Sequence, residues 1–301
     1  MSTFAQQAGP ACSHSASRLI QVAGIVSGHL CVQVELPPAG DEVMPGVTWG
    51  AVEQFPTPAY WAYQVLARRI TNTKISNKLG SDLVEEVVAC LLGGHGIPAE
   101  VGLAAFFRLR DSGVLRALTS EAEIFALLGE PLDIRGRPIR YRFAAQKAAY
   151  VSKALRVLSE EAAPLSSGRA LRDWLTRLPG VGLKTASWIA RNLMDADDVA
   201  ILDIHILRAG QLGGFFDPGL SIERHYSDLE ARFLEFSRHL QVRPSELDGV
   251  IWLEMKMSPR SVRRLLADKR EAEMGARDNS TVGRPRSDES RPNAEQSAML
   301  E

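Results

Sequence analysis

The stretch that most constrains this chain is Leu178-Pro179-Gly180-Val181-Gly182, set between segments 168–177 and 183–193 that carry apolar residues at three- and four-residue spacing. Pro179 stops the first helix, while Gly180 and Gly182 permit positive φ and place no side chain between the backbone and a close ligand. The pattern predicts two helices joined by a tight hairpin over 168–193. At the start of the second helix several amides have no partner within the helix and sit at the positive end of its dipole, a natural seat for a phosphate. A hairpin of this kind holds a DNA backbone through Gly180, Val181 and Gly182 without reading base sequence.

The rest of the chain is mostly helical. Beyond Pro58, helical periodicity recurs over 58–70, 82–92, 98–111, 121–129, 142–159, about 203–212, 222–240, 244–256 and 259–273. Ser120 with Glu123 forms a capping box, Ser221 and Ser245 mark helix starts, and Gly93-Gly94 and Gly213-Gly214 mark helix ends. Ahead of these helices, Leu30, Val32, Val34 and Leu36 alternate with other residues after a Ser27-Gly28 turn, which predicts a small β-hairpin within 18–57. Residues 1–17 and the polar stretch 275–301 are expected to be disordered, leaving 58–274 as the core.

Composition removes several classes. With 301 residues, 45% hydrophobic and 24% charged, the chain can bury one large core or two small ones, and is neither collagen-like nor wholly disordered. Nothing approaches the length of a membrane span, and MSTFAQQAGPACSHS has neither a basic n-region nor an apolar h-region, so the expectation is the cytoplasm, or the nucleoid in a bacterium. Cys12, Cys31 and Cys90 are too few and too scattered for a zinc set or an iron–sulfur cluster. The formal net charge of −1 hides a basic middle: residues 134–192 hold 12 Lys/Arg against Glu160, Glu161 and Asp173.

Taken together, LPGVGLKTASWIARNL and the later VAILDIHILR resemble the helix–hairpin–helix family of base-excision DNA glycosylases. RYRFAAQKAAYV (140–151) and LDGVIWLEMK (247–256) are similar to its prokaryotic 8-oxoguanine branch, and the likeness covers roughly 58–257. Residues beyond about 257 extend past the compact archaeal members, and the chain lacks the cysteines of the cluster-bearing branches. The resemblance implies a mostly α, two-lobed helix–hairpin–helix glycosylase fold with a short N-terminal β-hairpin. It also implies a monomer that acts on double-stranded DNA containing a damaged base, with no membrane. No cofactor or catalytic metal is required, and a structural monovalent cation at the hairpin is the one ion that it leaves room for.

The same resemblance makes Lys184 the nucleophile of a glycosylase with apurinic/apyrimidinic lyase activity and Asp203, 19 residues downstream, its carboxylate. A lysine amine is a nucleophile only when neutral, and the positive end of a helix dipole favours the neutral form. His205, two residues after Asp203, is a candidate for phosphate or sugar contact; a partly buried, hydrogen-bonded histidine is the alternative. Asp203 alone reads equally as a helix cap. Arg140 and Arg142, within the set Arg135, Arg137, Arg140, Arg142 and Lys147, are candidate DNA contacts, against an ordinary solvated face.

A flipped base needs a flat surface, for which Phe55, Trp61, Phe143 and Trp252 are candidates; Trp188 reads as core, and His95 is unassigned. The expected substrate is 8-oxoguanine. Two alternatives stay open, the same chemistry on another modified base, or a DNA-binding module without catalysis.

Overall fold

In the computed structural model, which describes residues 19–73, 78–94, 96–117 and 119–281, the expected hairpin pairs β1 (Gln21–Ser27) with β2 (Leu30–Leu36), from Gln21 opposite Leu36 to Ser27 opposite Leu30. Gly28 turns it with φ 59°. Gln21 ties the hairpin down: its Nε2 donates to Pro37 O and Gly50 O, and its Oε1 accepts from Val52 N. The expected disordered N-terminus 1–17 and His95 lie outside the described residues.

The helices follow the predicted periodicity closely. They are α1 (Pro58–Ile70), α2 (Leu83–Leu92), α3 (Ala99–Asp111), α4 (Glu121–Gly129), α5 (Ala144–Glu160), α6 (Gly168–Leu175), α7 (Leu183–Met194), α8 (Ile204–Gly213), α9 (Ile222–His239), α10 (Pro244–Met257) and α11 (Pro259–Thr281). Local chemistry sets their ends. Thr57 caps α1 ahead of Pro58, Asp82 caps α2, and the Ser120–Glu123 capping box opens α4. Ser245, expected at a helix start, is instead the second residue of α10; Arg243 is the cap and Pro244, with its preset φ, is the first helical residue.

Two small hairpins escape the sequence pattern, β3 (Glu42–Met44) with β4 (Val47–Thr48), and β5 (Leu132–Ile134) with β6 (Arg137–Ile139). Such short strands are below the length at which alternation becomes legible. The β5–β6 turn is further disguised because Arg135 takes a positive φ of 55° beside Gly136, where Asn or Asp would be expected, and Asp133 Oδ1 accepts from Gly136 N at 2.7 Å to hold it. Arg135 therefore sits on the β-turn, Arg137 opens β6, and Arg140 and Arg142 lie in the loop leading to α5.

The chain forms one compact unit up to Ser258 and a second from Pro259. The second unit is α11, whose backbone stays helical to Thr281 although disorder was expected from Gly275; extending an existing helix adds a hydrogen bond per residue without a new nucleation cost. Residues 282–301 lie outside the described residues. No described helix is long and apolar enough to cross a membrane.

Within the first unit the side chains pack as two lobes. One is contiguous in sequence, α2 to α7, around Val87, Leu91, Phe106, Leu109, Ile124, Leu128, Val151, Leu171 and Ile189. The other gathers α1 with α8, α9 and α10 around Trp61, Phe215, Phe233, Phe236 and Ile251, with the Phe215 and Phe236 rings stacked 3.9 Å apart. Each such buried side chain contributes about 1.5–3 kcal/mol. The hairpin helices α6 and α7 close the first lobe, and α8 opens from the second.

Candidate active site

The hairpin sits between Leu175 and Leu183. Leu178 N donates to Leu175 O and Val181 N to Leu178 O, so the loop is a pair of overlapping tight turns, and Gly180 alone takes a positive φ, 84°. The two glycines have different jobs, contrary to the equal role expected of them. A Cβ on Gly180 would fall 2.3 Å from the Tyr150 ring on α5, so this glycine serves close packing inside the protein. Gly182 has an ordinary φ of −92°, with nothing within 4 Å of a Cβ position, and no side chain caps the helix that it opens. Open space in front of uncapped amides is what an approaching phosphate needs. Val181 is buried.

Lys184 lies in the first turn of α7, and Asp203 is the N-cap of α8. The two carboxylate oxygens of Asp203 make different contacts. Oδ1 caps α8, accepting from His205 N at 2.8 Å and Ile206 N at 3.2 Å, while Oδ2 faces Lys184 Nζ at 3.8 Å. That separation is an electrostatic contact rather than a hydrogen bond. The lysine side chain is 50% exposed and the aspartate 11%. An amine reachable from solvent therefore stands over a carboxylate held by backbone amides, across the line between the two lobes.

His205 is partly buried on the first turn of α8. Arg140 and Arg142 are exposed at the start of the loop into α5, with the Arg142 guanidinium over the Phe143 ring at 5.1 Å. Lys147 departs from the solvated set: its Nζ donates to Gly93 O at 3.3 Å, Tyr141 OH donates to Leu92 O at 2.6 Å, and together they satisfy carbonyls at the end of α2. Burial holds the Lys147 ammonium below its usual pKa. The positive count of the middle segment is also partly spent internally, since Arg135 pairs with Glu100, Arg177 with Glu161, Arg172 with Glu230 and Arg191 with Asp248.

Among the aromatic candidates, Trp61 is fully buried and cannot meet a flipped base. Phe55, Phe143 and Trp252 stay partly exposed, and Lys256 Nζ lies 4.3 Å from the Trp252 ring centre. Trp188 on α7 is partly exposed as well, and its indole N–H is buried with no hydrogen-bond partner.

Sequence reasoning missed the groups behind the pair. Arg172 and Arg191 are buried against Glu230 of α9 and Asp248 of α10. Burial raises the Asp248 carboxyl to about 6 even though the Arg191 guanidinium and the amides of Ile201 and Gly249 all pull it down. The legible signal was an arginine or an aspartate on a helix face otherwise made of apolar residues, as Arg172 sits beside Leu171 and Leu175, and Asp248 beside Leu247 and Ile251.

Solved structures with a similar chain trace include the 8-oxoguanine DNA glycosylase of Methanocaldococcus jannaschii, 25% identical over 65% of this chain and 84% of that one, with a TM-score of 0.42. The 8-oxoguanine DNA glycosylase of Thermotoga maritima is 24% identical over 56% and 77%, with a TM-score of 0.41. An endonuclease III in a non-covalent DNA complex is 17% identical over 65% and 85%, with a TM-score of 0.47. The sequence pattern of the helix–hairpin–helix 8-oxoguanine DNA glycosylases matches residues 66–242, which include the hairpin, Lys184 and Asp203. With well over half of its length inside that match, the chain belongs to the 8-oxoguanine DNA glycosylase family.

Proposed function

We propose that this protein excises 8-oxoguanine from duplex DNA and cuts the strand at the resulting site, with Lys184 as nucleophile and Asp203 as its carboxylate. The observation that carries the reading is the approach of Lys184 Nζ to Asp203 Oδ2 at the first turn after the hairpin. In the neutral form the amine attacks C1′ of the deoxyribose as the glycosidic bond breaks and the base leaves with the bonding pair and a proton. Asp203 Oδ2 stabilises the positive charge that develops on the sugar and takes a proton from the attacking nitrogen. Ring opening gives an iminium between Lys184 and C1′. That iminium acidifies the C2′ proton, whose loss expels the 3′ phosphate by β-elimination, and water then hydrolyses the imine to free the lysine.

The uncapped start of α7 at Gly182 supports a phosphate seat, and the exposed Arg140 and Arg142 support a path for the strand. Family membership supports 8-oxoguanine as the base. The pocket must tell it from guanine by N7, a donor in the oxidised base and an acceptor in guanine. An acceptor aimed at N7 would leave guanine and itself unpaired, at about 1–3 kcal/mol for each buried group.

The test is a panel of duplexes, each with one modified base, incubated with enzyme and borohydride. Covalent trapping, fastest on 8-oxoguanine, is the expected result. Faster release of thymine glycol would move the substrate to another base, and no trapping on any duplex would leave DNA binding alone.

A further inference from the structure

Residues 199–202 deliver Asp203 to the start of α8 while belonging to no helix or strand. A buried stretch of this kind lacks a ladder for its amides, and an orphaned N–H there is costly. Side chains take the ladder's place. Ala200 N–H donates to Glu230 Oε1 at 3.0 Å, Ile201 N–H to Asp248 Oδ2 at 3.3 Å and Leu202 N–H to the Tyr226 hydroxyl at 3.2 Å. The Tyr226 hydroxyl donates in turn to Ala200 O at 2.8 Å. Three successive amides thus meet three acceptors from α9 and α10, and all three acceptors are buried.

Each acceptor is also tied to the hairpin helices. Arg172 of α6 grips Glu230, Arg191 of α7 grips Asp248, and Ser187 Oγ of α7 lies 3.5 Å from the Tyr226 hydroxyl. Lys184, Ser187 and Arg191 follow at helical spacing, so one face of α7 carries both the amine and two of the anchors. Buried ion pairs are often no more stabilising than apolar residues of the same shape, so stability alone does not account for them. What they supply is direction, because each carboxylate accepts from one backbone amide at a fixed place. Asp203 Oδ1 is already fixed by two amides of α8, so the place of the backbone decides where Oδ2 points.

We propose that Tyr226, Glu230 and Asp248 are positioning residues for base excision, locking backbone 200–202 to the hairpin helices so that Asp203 Oδ2 keeps its distance from Lys184. The inference rests on the reading of Lys184 and Asp203 as the reacting pair. Because the three groups act through Asp203, their removal matters only while Asp203 is an aspartate. Burial pushes the Tyr226 hydroxyl up to about 12, so it stays protonated as the donor to Ala200 O.

The experiment is a double-mutant cycle of Tyr226→Phe and Asp203→Asn, read as single-turnover excision from an 8-oxoguanine·cytosine duplex, with the Kd for that duplex measured beside it. Tyr226→Phe keeps the ring and deletes one hydroxyl. A displacement of about 1 Å near the reacting atoms can cost up to about a hundredfold. The expected result is a loss of tenfold or more in the wild-type background, a Kd within about twofold, and no further loss in the Asp203→Asn background. Cleavage at an abasic site prepared beforehand, where no glycosidic bond remains to break, should fall less than excision does. A wild-type rate for Tyr226→Phe, or the same fold loss in both backgrounds, overturns the proposal, the second outcome marking a general weakening of the fold. Should Tyr226→Phe fail to fold, Glu230→Asp takes its place in the same cycle, since it keeps the charge but shortens the reach to Ala200 N. A full rate for Asp203→Asn alone would remove the reacting pair and this inference with it, whereas a slow Asp203→Asn beside a fast Tyr226→Phe removes only this inference.

Discussion

Lys184 and Arg191 stand two turns apart on one face of α7, each facing an aspartate of the other lobe, yet they are held in opposite ways. Arg191 is buried, donates to Asp248 and to Ser245 O, and faces a carboxylate whose other oxygen takes a backbone amide. Lys184 is half exposed and reaches Asp203 only at 3.8 Å. On the mechanism proposed above, the difference fits what each cation would have to do. A guanidinium never loses its proton in a protein and matches a carboxylate with a rigid fork, so it suits a permanent joint. An amine that must become neutral and attack a sugar cannot be locked into a desolvated ion pair, since the locked pair would stabilise the unreactive form.

Removing the loose cation should have the largest effect. Lys184→Gln is expected to lower single-turnover excision on the order of 10⁴-fold and to abolish borohydride trapping, with duplex affinity nearly unchanged because the hairpin amides remain. Full excision by this variant would end the comparison at its root. Breaking the tight pair should harm the fold. Arg191→Met leaves Asp248 buried without its cation and should cost about 3–5 kcal/mol in urea denaturation, while Arg191→Met with Asp248→Leu should recover only part of that loss, because Ile201 N–H then has no acceptor. Equal stability of Arg191→Met and wild type would show that the joint is not structural.

Asp203 sharpens the contrast within one side chain. Asp203→Asn keeps an oxygen for the α8 cap and should leave the melting temperature in place while slowing excision on the order of 10²–10³-fold. Asp203→Ala should also lose about 1 kcal/mol of stability. If the asparagine variant melts lower but reacts at full rate, Oδ1 and Oδ2 have been given the wrong roles. The smallest effect is expected at the loop into α5. Arg140→Ala with Arg142→Ala should reduce the slope of log affinity against log salt by about 2, since each phosphate contact contributes roughly 0.9. An unchanged slope would place the strand elsewhere.

The helices were legible because each rests on a repeat of apolar residues, and the start of α4 because the Ser120 side chain reaches its own helix, whereas the caps at Thr57 and Asp82 appeared only in the structure. The short β5–β6 hairpin was not, since Arg135 hid its turn. Within the site, the hairpin stood out by its glycines and proline, and Lys184 and Asp203 by the resemblance to the glycosylase family, whereas the basic count overstated the charge free to meet DNA. That count could not show that Arg172 and Arg191 face inward toward acids far along the chain.

What the sequence determined by itself is therefore the set of helices and the hairpin between α6 and α7, properties of neighbours within a turn or two, together with the order in which lysine and aspartate follow along the chain. Only the tertiary structure decided that Gly180 is closed by Tyr150 while Gly182 stays open, that Asp203 turns one oxygen to α8 and the other to Lys184, and that Tyr226, Glu230 and Asp248 stand behind the backbone that carries it. These depend on contacts between residues tens of positions apart, which a periodic pattern cannot encode, because burial is fixed by which faces meet and not by the spacing within either face.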